Sequence, residues 1–197
     1  MAEATSQAAC IERHVAYPYD IAGRLKPLQR ERLKRMFAPI QAGDVVLDVG
    51  CNSGYIVDFV PPGCVCHGVE VAPELVAKAA LRLRSAQVAP AEALPFADKS
   101  VDVVVLGEIL EHVQDPVVAL REAARVARWL VVGSTPHEAS QWGPGQSKGP
   151  ERHPFHVRCF TAETLEAALE AAGLAADVEV VTWDGAPQFY VFAGLVV

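Results

Sequence analysis

Apolar residues along the chain fall into short unbroken runs separated by stretches with helical spacing. Unbroken runs at 45–49, 65–70, 101–106 and 129–133 predict buried strands. Helical periodicity or helix-start signals occur at 55–60, 73–83, 116–128 and 161–172, and two final apolar runs at 178–183 and 189–197 predict a β-hairpin. The alternating order predicts an α/β fold: a doubly wound, mostly parallel sheet between two helical layers, with an antiparallel strand from the last hairpin.

The whole chain, residues 1–197, reads as a single domain with two accessory segments. Residues 1–42 form an N-terminal arm followed by a helix, which Pro39 ends. Residues 136–160 are loop-like, long and rich in Pro, Gly, His and aromatic residues. Because long loops inside compact domains are usually functional or disordered, we expect this one to be a lid on the substrate side.

The net charge and the cysteine pattern limit the binding partners and the cellular compartment that we expect. The net charge of −7 offers no general attraction for polyanions, so we expect a small-molecule substrate and not nucleic acid. No apolar stretch is long enough to span a bilayer, and the first residues lack the features of a signal peptide. The five cysteines follow no disulfide or zinc pattern and are expected to be free thiols in the cytoplasm. Nothing in the sequence indicates the oligomeric state.

The sharpest motif lies where the first predicted strand ends, at residues 46–54 (VLDVGCNSG). A Gly-flanked turn between a buried strand and a helix is where open α/β sheets bind ligands, and Glu70 ends the next strand, where an acid can bind ribose hydroxyls. A dinucleotide loop would need glycine at the positions of Asn52 and Tyr55. The carboxylate of Asp48 would also repel a pyrophosphate, whereas it would attract the cationic S-adenosylmethionine.

This stretch resembles the first motif of the class I S-adenosylmethionine-dependent methyltransferases, and later segments are similar to the family's other motifs. These segments are 67–71 (HGVEV), 91–96 (AEALPF) with 100–104 (SVDVV), 108–116 (EILEHVQDP) and 131–137 (VVGSTPH), and the resemblance spans about residues 44–172. It implies a Rossmann-like three-layer αβα sandwich with a seven-stranded sheet. It also implies donor contacts from Asp48, Gly50, Cys51, Asn52, Gly54, Tyr55, Glu70, Val71, Ala91, Glu92 and Gly107. Pro90 stands where the family usually has an acid for adenine, which leaves that recognition to Ala91 or Glu92.

A second group of polar residues follows the fourth-motif strand. Glu108, Glu111 and His112 share one face if the segment is helical, and that face would look into the pocket beside the donor. In one interpretation His112 is a general base for a substrate hydroxyl, with Glu111 beside it. His137, after the next strand, is a second candidate base. In a structural interpretation, Glu111 and His112 instead belong to a hydrogen-bond network that shapes the pocket.

In another interpretation the same residues bind a divalent metal. The sequence of 108–116 is similar to the ubiquinone-pathway O-methyltransferases, where the Glu-Glu-His triplet binds a metal, and to the metal-dependent small-RNA 2′-O-methyltransferases. The resemblance implies the ligand set Glu108, Glu111, His112 and His156. Many sugar and natural-product methyltransferases carry a similar Glu-His pair without metal.

These observations predict an S-adenosylmethionine-dependent methyltransferase that methylates an oxygen of a small polar acceptor, such as a sugar, a phenol or a natural-product intermediate. The alternatives are a metal-dependent RNA 2′-O-methyltransferase, an NAD-dependent oxidoreductase and a non-catalytic binding domain with this fold.

Overall fold

Seven strands and four α-helices alternate along the part of the chain that is described. The computed structural model describes residues 25–140 and 156–196, with 11–12 and 15–16 as separate short stretches. The strands are β1 Val45–Val49, β2 Val65–Glu70, β3 Ser85–Val88, β4 Val101–Gly107, β5 Ala127–Pro136, β6 Leu174–Trp183 and β7 Ala186–Val196. The helices are α1 Pro27–Phe37, α2 Pro73–Ala79, α3 Pro116–Val126 and α4 Ala162–Ala171, with a 3-10 helix at Tyr55–Asp58.

The strands form one twisted sheet in the order β3-β2-β1-β4-β5-β7-β6. The first five strands pair in parallel, while β7 runs antiparallel to both β5 and β6. The predicted fold class is confirmed, including the antiparallel hairpin. Since the sheet order reverses direction at β1 and β4, the carboxyl ends of these two central strands open the crevice where such sheets bind ligands.

Alternate residues of the central strands point into two separate hydrophobic cores, as a pleated strand requires. Val46 and Val103 face one side, where they pack with Leu33 and Met36 of α1. Leu47 and Val104 face the other side, in the cluster that includes α3 and α4. Buried on both faces, these strands need the continuous apolar runs that the sequence shows.

The helices begin where the sequence supplies start signals. Asp115 caps α3 through hydrogen bonds from the backbone N–H groups of Val117 and Val118, at 2.9 and 3.2 Å. Thr161 caps α4, and Thr164 completes a capping box with it, which confirms that predicted start. Gly173 follows α4 with a φ of +80°, a conformation that favours glycine.

Several elements differ from the prediction in their bounds, and one strand is additional. The strand β3 was not predicted, because Ser85–Val88 is a short edge strand without a regular apolar pattern. The helix α2 ends at Ala79 and not at 83, since Leu81 points into solvent and is 87% exposed. The strands β6 and β7 are longer than predicted, because antiparallel pairing continues through polar positions.

Several expectations fall on residues outside the described ranges. Most of the predicted lid, 141–155, lies there, and so does most of the predicted arm, 1–10, 13–14 and 17–24. Among the described helices, none combines the length and the apolar character that crossing a membrane would take.

Candidate functional site

The polar residues singled out by the sequence lie at one edge of the sheet, where parallel strands end. Asp48 is the penultimate residue of β1, Glu70 ends β2 and Gly107 ends β4. Asp48 and Glu70 are both buried, at 7% and 8% exposure. Since buried acids need compensation, this edge is the candidate site for a ligand with positive charge or several hydrogen-bond donors.

The turn after β1 requires glycine at two points. Gly50 has a φ of +75° and its N–H donates to Val69 O at 2.8 Å, so the turn is tied to β2. A Cβ at Gly50 would lie 2.0 Å from Ile109 Cδ1, which means that Ile109 packs directly on the bare backbone. Gly54 has a φ of +76° and begins the 3-10 helix. Positive φ therefore favours glycine at both points of the turn, and the contact of Ile109 with Gly50 adds a steric requirement for it.

Asp48 is a buried acid that interacts with two other charged side chains, Glu70 and Arg32. Its pKa is raised to about 8: burial and then the neighbouring Glu70 raise it, while the guanidinium of Arg32 partly offsets them. Such a carboxyl group either retains a proton or binds a cation. The ammonium or sulfonium of S-adenosylmethionine would supply the missing positive charge, so the donor set fits that cofactor.

Glu70 is held in place by the backbone around it. Its Oε1 accepts hydrogen bonds from Val71 N and Ala72 N at 2.7 and 3.2 Å, and its Oε2 accepts one from Asn52 N at 3.1 Å. A carboxylate has about four acceptor sites, so three backbone donors leave little room. A ribose hydroxyl would use the remaining site or replace the Asn52 N–H.

Cys51 and Tyr55 complete the loop as buried side chains. Cys51 packs against β2, because a Cβ at Gly68 would come within 2.6 Å of its Sγ. The pKa of the Tyr55 hydroxyl is raised to about 12, mainly by burial, despite a hydrogen bond with Arg32. Their roles as donor contacts, like that of Val71, stay predictions.

The segment expected to recognise adenine, residues 91–96, is anchored by hydrogen bonds from residues elsewhere in the chain. Arg125 of α3 donates to Leu94 O and Phe96 O at 3.1 and 2.8 Å, which anchors the loop after β3. Glu92 Oε1 accepts a 3.2 Å hydrogen bond from Gln114 N, so this side chain joins two loops. Ala91 is buried. Whether either residue recognises adenine stays a prediction.

The sequence analysis did not identify a buried network around Arg32. This network lies beside the donor loop, the turn after β1 at residues 50–54. Arg32 of α1 is only 2% exposed, and its Nη1 donates to Ser134 Oγ at 2.6 Å. Ser134 Oγ in turn donates to Glu108 Oε1 at 3.0 Å. The signal in the sequence was a charge on an apolar helix face, since Arg32 lies four residues from both Leu28 and Met36.

The structure brings together three of the four predicted metal ligands. One ligand atom from each of Glu111, His112 and His156 lies within 4.8 Å of the others, and the rings of the two histidines are 4.9 Å apart. Glu108 is not part of this group: its carboxylate turns to Ser134 and Arg32, because its backbone is left-handed with a φ of +59°.

Glu111 is the acid of this group, and its side chain is buried, at 1% exposure. Its pKa is raised well above the ordinary range by burial and then by the neighbouring Glu108. Thr135 Oγ1 donates to its Oε2 at 3.3 Å, while Oε1 has no hydrogen-bond partner among the described residues and lies 3.8 Å from His112 Nε2. An orphaned buried oxygen beside a histidine is positioned to bind a proton, a substrate hydroxyl or a cation.

His137 is held in a different way. Its ring stacks on Tyr190 at a centroid distance of 4.6 Å, and its Nδ1 accepts a 3.0 Å hydrogen bond from Ala139 N. Tyr190 Oη donates to Glu138 Oε2 at 2.8 Å. Because Nδ1 accepts this hydrogen bond, Nε2 is the ring atom left to meet a ligand, and a role for His137 as a base stays a prediction.

A cavity of about 560 Å³ lies between the beginning of α1 and the β6–β7 turn, with Lys26, Trp183 and Gln188 among its lining residues. Gln188 O also accepts a 3.0 Å hydrogen bond from His137 N. The cavity therefore lies near the end of β5, which His137 follows.

Comparisons with known proteins give a consistent picture. Residues 47–129 match a family model described as a methyltransferase domain. A probable S-adenosylmethionine-dependent methyltransferase of Mycobacterium tuberculosis is 37% identical over 135 residues, which are 65% of this chain and 47% of that protein. The ubiquinone biosynthesis O-methyltransferase of Albidiferax ferrireducens is 32% identical over 124 residues, 56% of this chain and 49% of that protein.

Among solved structures, a chain from the complex between the Trm112 methyltransferase activator and a methyltransferase of Haloferax volcanii superposes with a TM-score of 0.72. The match covers 94% of this chain and 97% of that chain at 21% identity, so it supports the fold alone. The chain spans about half the length of the two curated relatives described above.

Proposed function

We propose that this chain is a class I S-adenosylmethionine-dependent methyltransferase that transfers the donor's methyl group to an oxygen of a small polar acceptor; the match of residues 47–129 to a methyltransferase domain supports the reaction class. The observation that carries the proposal is Asp48, a buried carboxyl at the tip of β1 whose surroundings favour a cationic ligand over a phosphate. The match of residues 47–129 to a methyltransferase domain also supports the methyl donor over the NAD-dependent alternative.

Donor binding would use the loop and the two acids. Asp48 would pair with the positive charge of the donor's methionine part, Glu70 would meet the ribose, and Gly50 would let the backbone approach. When bound, the donor supplies an electrophilic methyl on a sulfonium, so the protein's part is placement and the exclusion of water.

Acceptor activation would fall to His112. Its Nε2 would take the proton of an acceptor hydroxyl, and the buried Glu111 Oε1, 3.8 Å away, would hold the ring in position. His137 would orient the acceptor through its Nε2–H. Oxygen as the acceptor atom is favoured because a hydroxyl gains most from a base near neutral pKa, and the O-methyltransferase among the relatives supports the same choice.

A small acceptor is supported over RNA by charge. The net charge of −7 opposes binding of a polyanion. The cavity lined by Trp183 and Gln188 has a size suited to a small molecule.

A second candidate function for the Glu111, His112 and His156 group is to hold a divalent cation, favoured by their close ligand atoms and by the orphaned Glu111 Oε1. Mixed oxygen and nitrogen ligands suit zinc or manganese, which would then bind the acceptor oxygen in place of a base.

Calorimetry with S-adenosylhomocysteine tests the donor site. We expect micromolar binding by the wild type, weakening of about tenfold or more in Asp48→Asn, and no change in Asp177→Asn, a matched control on exposed β6. Undetectable binding by the folded wild type would refute the proposal. Binding of NADH without S-adenosylhomocysteine would refute it as well.

A further inference from the structure

We infer that Arg32 is a positioning residue of the donor site: α1 brings its guanidinium to the ends of β4 and β5, where it holds Glu108 and the donor loop in place through Ser134. The inference rests on the proposed function, because it concerns the affinity for the methyl donor. Arg32 lies outside residues 47–129, so the matched domain needs a residue from the preceding helix.

The contacts form a continuous chain. Arg32 Nη1 lies 2.6 Å from Ser134 Oγ and 3.6 Å from Glu108 Oε1. The Ser134 hydroxyl accepts from the guanidinium and donates to the carboxylate, which uses its single proton and one of its lone pairs. Glu108 N–H also donates to Ser134 O at 2.9 Å. Two neighbouring strands are thus joined through a buried cation.

This chain of contacts reaches the donor loop through the backbone. Glu108 has a φ of +59°, a conformation that non-glycine residues rarely adopt without support. The next residue, Ile109, packs directly on Gly50, because a Cβ there would lie 2.0 Å from its Cδ1. If Glu108 were released from Ser134 and Arg32, Ile109 would lose the backbone direction that places it on the loop.

Charge supports the same role. Arg32 is a cation that lowers the pKa of Asp48, which burial and the neighbouring Glu70 raise. Removing one partner of a buried ion pair leaves the other without compensation. Without Arg32, Asp48 would bind a proton more tightly and attract the donor less.

The guanidinium is also specified by shape. Its carbon lies 5.4 Å from the centre of the Phe189 ring, within cation–π range, and Gly107 leaves room for it at the end of β4. Lysine would keep the charge but neither the planar stacking nor the hydrogen-bonding fork. Conservative replacement should therefore restore only part of the effect.

The test measures S-adenosylhomocysteine binding by calorimetry in folded variants, with folding checked by circular dichroism. We expect Arg32→Met to weaken binding by about tenfold or more and Arg32→Lys by less. Lys34→Met removes a charge from an exposed position of the same helix, and its affinity should stay within about twofold of wild type.

A double-mutant cycle with Glu108→Gln distinguishes positioning from independent contributions. Because the neutral amide no longer needs a countercharge, Arg32→Met/Glu108→Gln should bind S-adenosylhomocysteine better than the product of the two single losses predicts. Losses that multiply would overturn the inference, and so would a folded Arg32→Met that binds within about twofold of wild type.

Two further outcomes can be distinguished from failure of the inference about Arg32. If the folded wild type does not bind S-adenosylhomocysteine at all, the proposed function itself fails. If Arg32→Met does not fold, Ser134→Ala and Glu108→Gln carry the test: each should weaken binding several-fold, and wild-type affinity in both would overturn the inference.

Discussion

His112 Nε2 lies 3.8 Å from Glu111 Oε1, a buried carboxyl oxygen that has no hydrogen-bond partner among the described residues. A histidine whose ring is held in position by a buried carboxyl is suited to proton removal from a hydroxyl.

Replacing His112 should therefore affect catalysis and not donor binding. We expect His112→Gln to lower kcat by about 10²- to 10⁴-fold, the usual contribution of a general base, while the Kd for S-adenosylhomocysteine stays the same. His67→Gln is the matched control, because His67 lies at the β2–β3 pair and bonds Ser85 at 2.7 Å. Wild-type turnover in folded His112→Gln, measured once an acceptor is in hand, would contradict the assignment.

The raised pKa of Asp48 predicts a pH-dependent affinity. Donor binding requires the ionised carboxylate, so S-adenosylhomocysteine binding should tighten by roughly tenfold or more from pH 6 to pH 8, as the pKa of about 8 implies. The charged groups acting on Asp48 are Glu70 and Arg32. Calorimetry in two buffers should show a proton released on binding, and Asp48→Asn should remove both effects. An affinity that is flat over this range would count against a protonated Asp48.

The same group makes a prediction about stability. A carboxyl whose folded pKa is raised contributes stability that is fully present below its unfolded value near 4 and is lost as the pH rises through about 8. Over that range, the Tm of the wild type should fall relative to that of Asp48→Asn. Thermal unfolding at pH 5 and pH 8, without ligand, measures the difference. A wild-type Tm that rises relative to that of Asp48→Asn between pH 5 and pH 8 would have the wrong sign.

Gly50 and Gly43 separate backbone strain from crowding. Both have positive φ, +75° and +90°, but an added Cβ meets nothing within 4 Å at Gly43. We expect Gly43→Ala to lower the free energy of unfolding by about 1–2 kcal/mol, the cost of a left-handed alanine. Gly50→Ala should cost more and should abolish S-adenosylhomocysteine binding, because Ile109 must move. Equal effects in urea unfolding and in calorimetry would show that the close packing is unimportant.

Metal binding by Glu111, His112 and His156 is tested by chelation and titration. If a divalent cation takes part, EDTA should abolish turnover, added zinc or manganese should restore it, and His156→Ala should eliminate metal binding in calorimetry. Unchanged turnover in EDTA, with no heat on metal addition, would leave His112 as the base. The exposed Glu170→Gln variant of α4 is a control that changes one acid away from the site.

The sequence by itself determined the sheet, the donor loop and the sheet edge on which the polar residues meet. Unbroken apolar runs identify strands buried on both faces, and Gly50 with Asp48 marks a turn that a cationic ligand fits better than a phosphate. These features are local in the chain, so a pattern of a few residues carries them. The edge strand β3 was not predicted, because short, half-exposed strands have no such pattern.

Only the tertiary structure decided which polar residues act together. It separated Glu108 from Glu111 and His112, because a left-handed backbone turns Glu108 toward Ser134, and it showed that His137 accepts at Nδ1. It also brought Arg32 to a site 102 residues away along the chain, at Ser134. Contacts over such separations depend on how α1 packs across β4 and β5, and nothing in the local sequence specifies that packing.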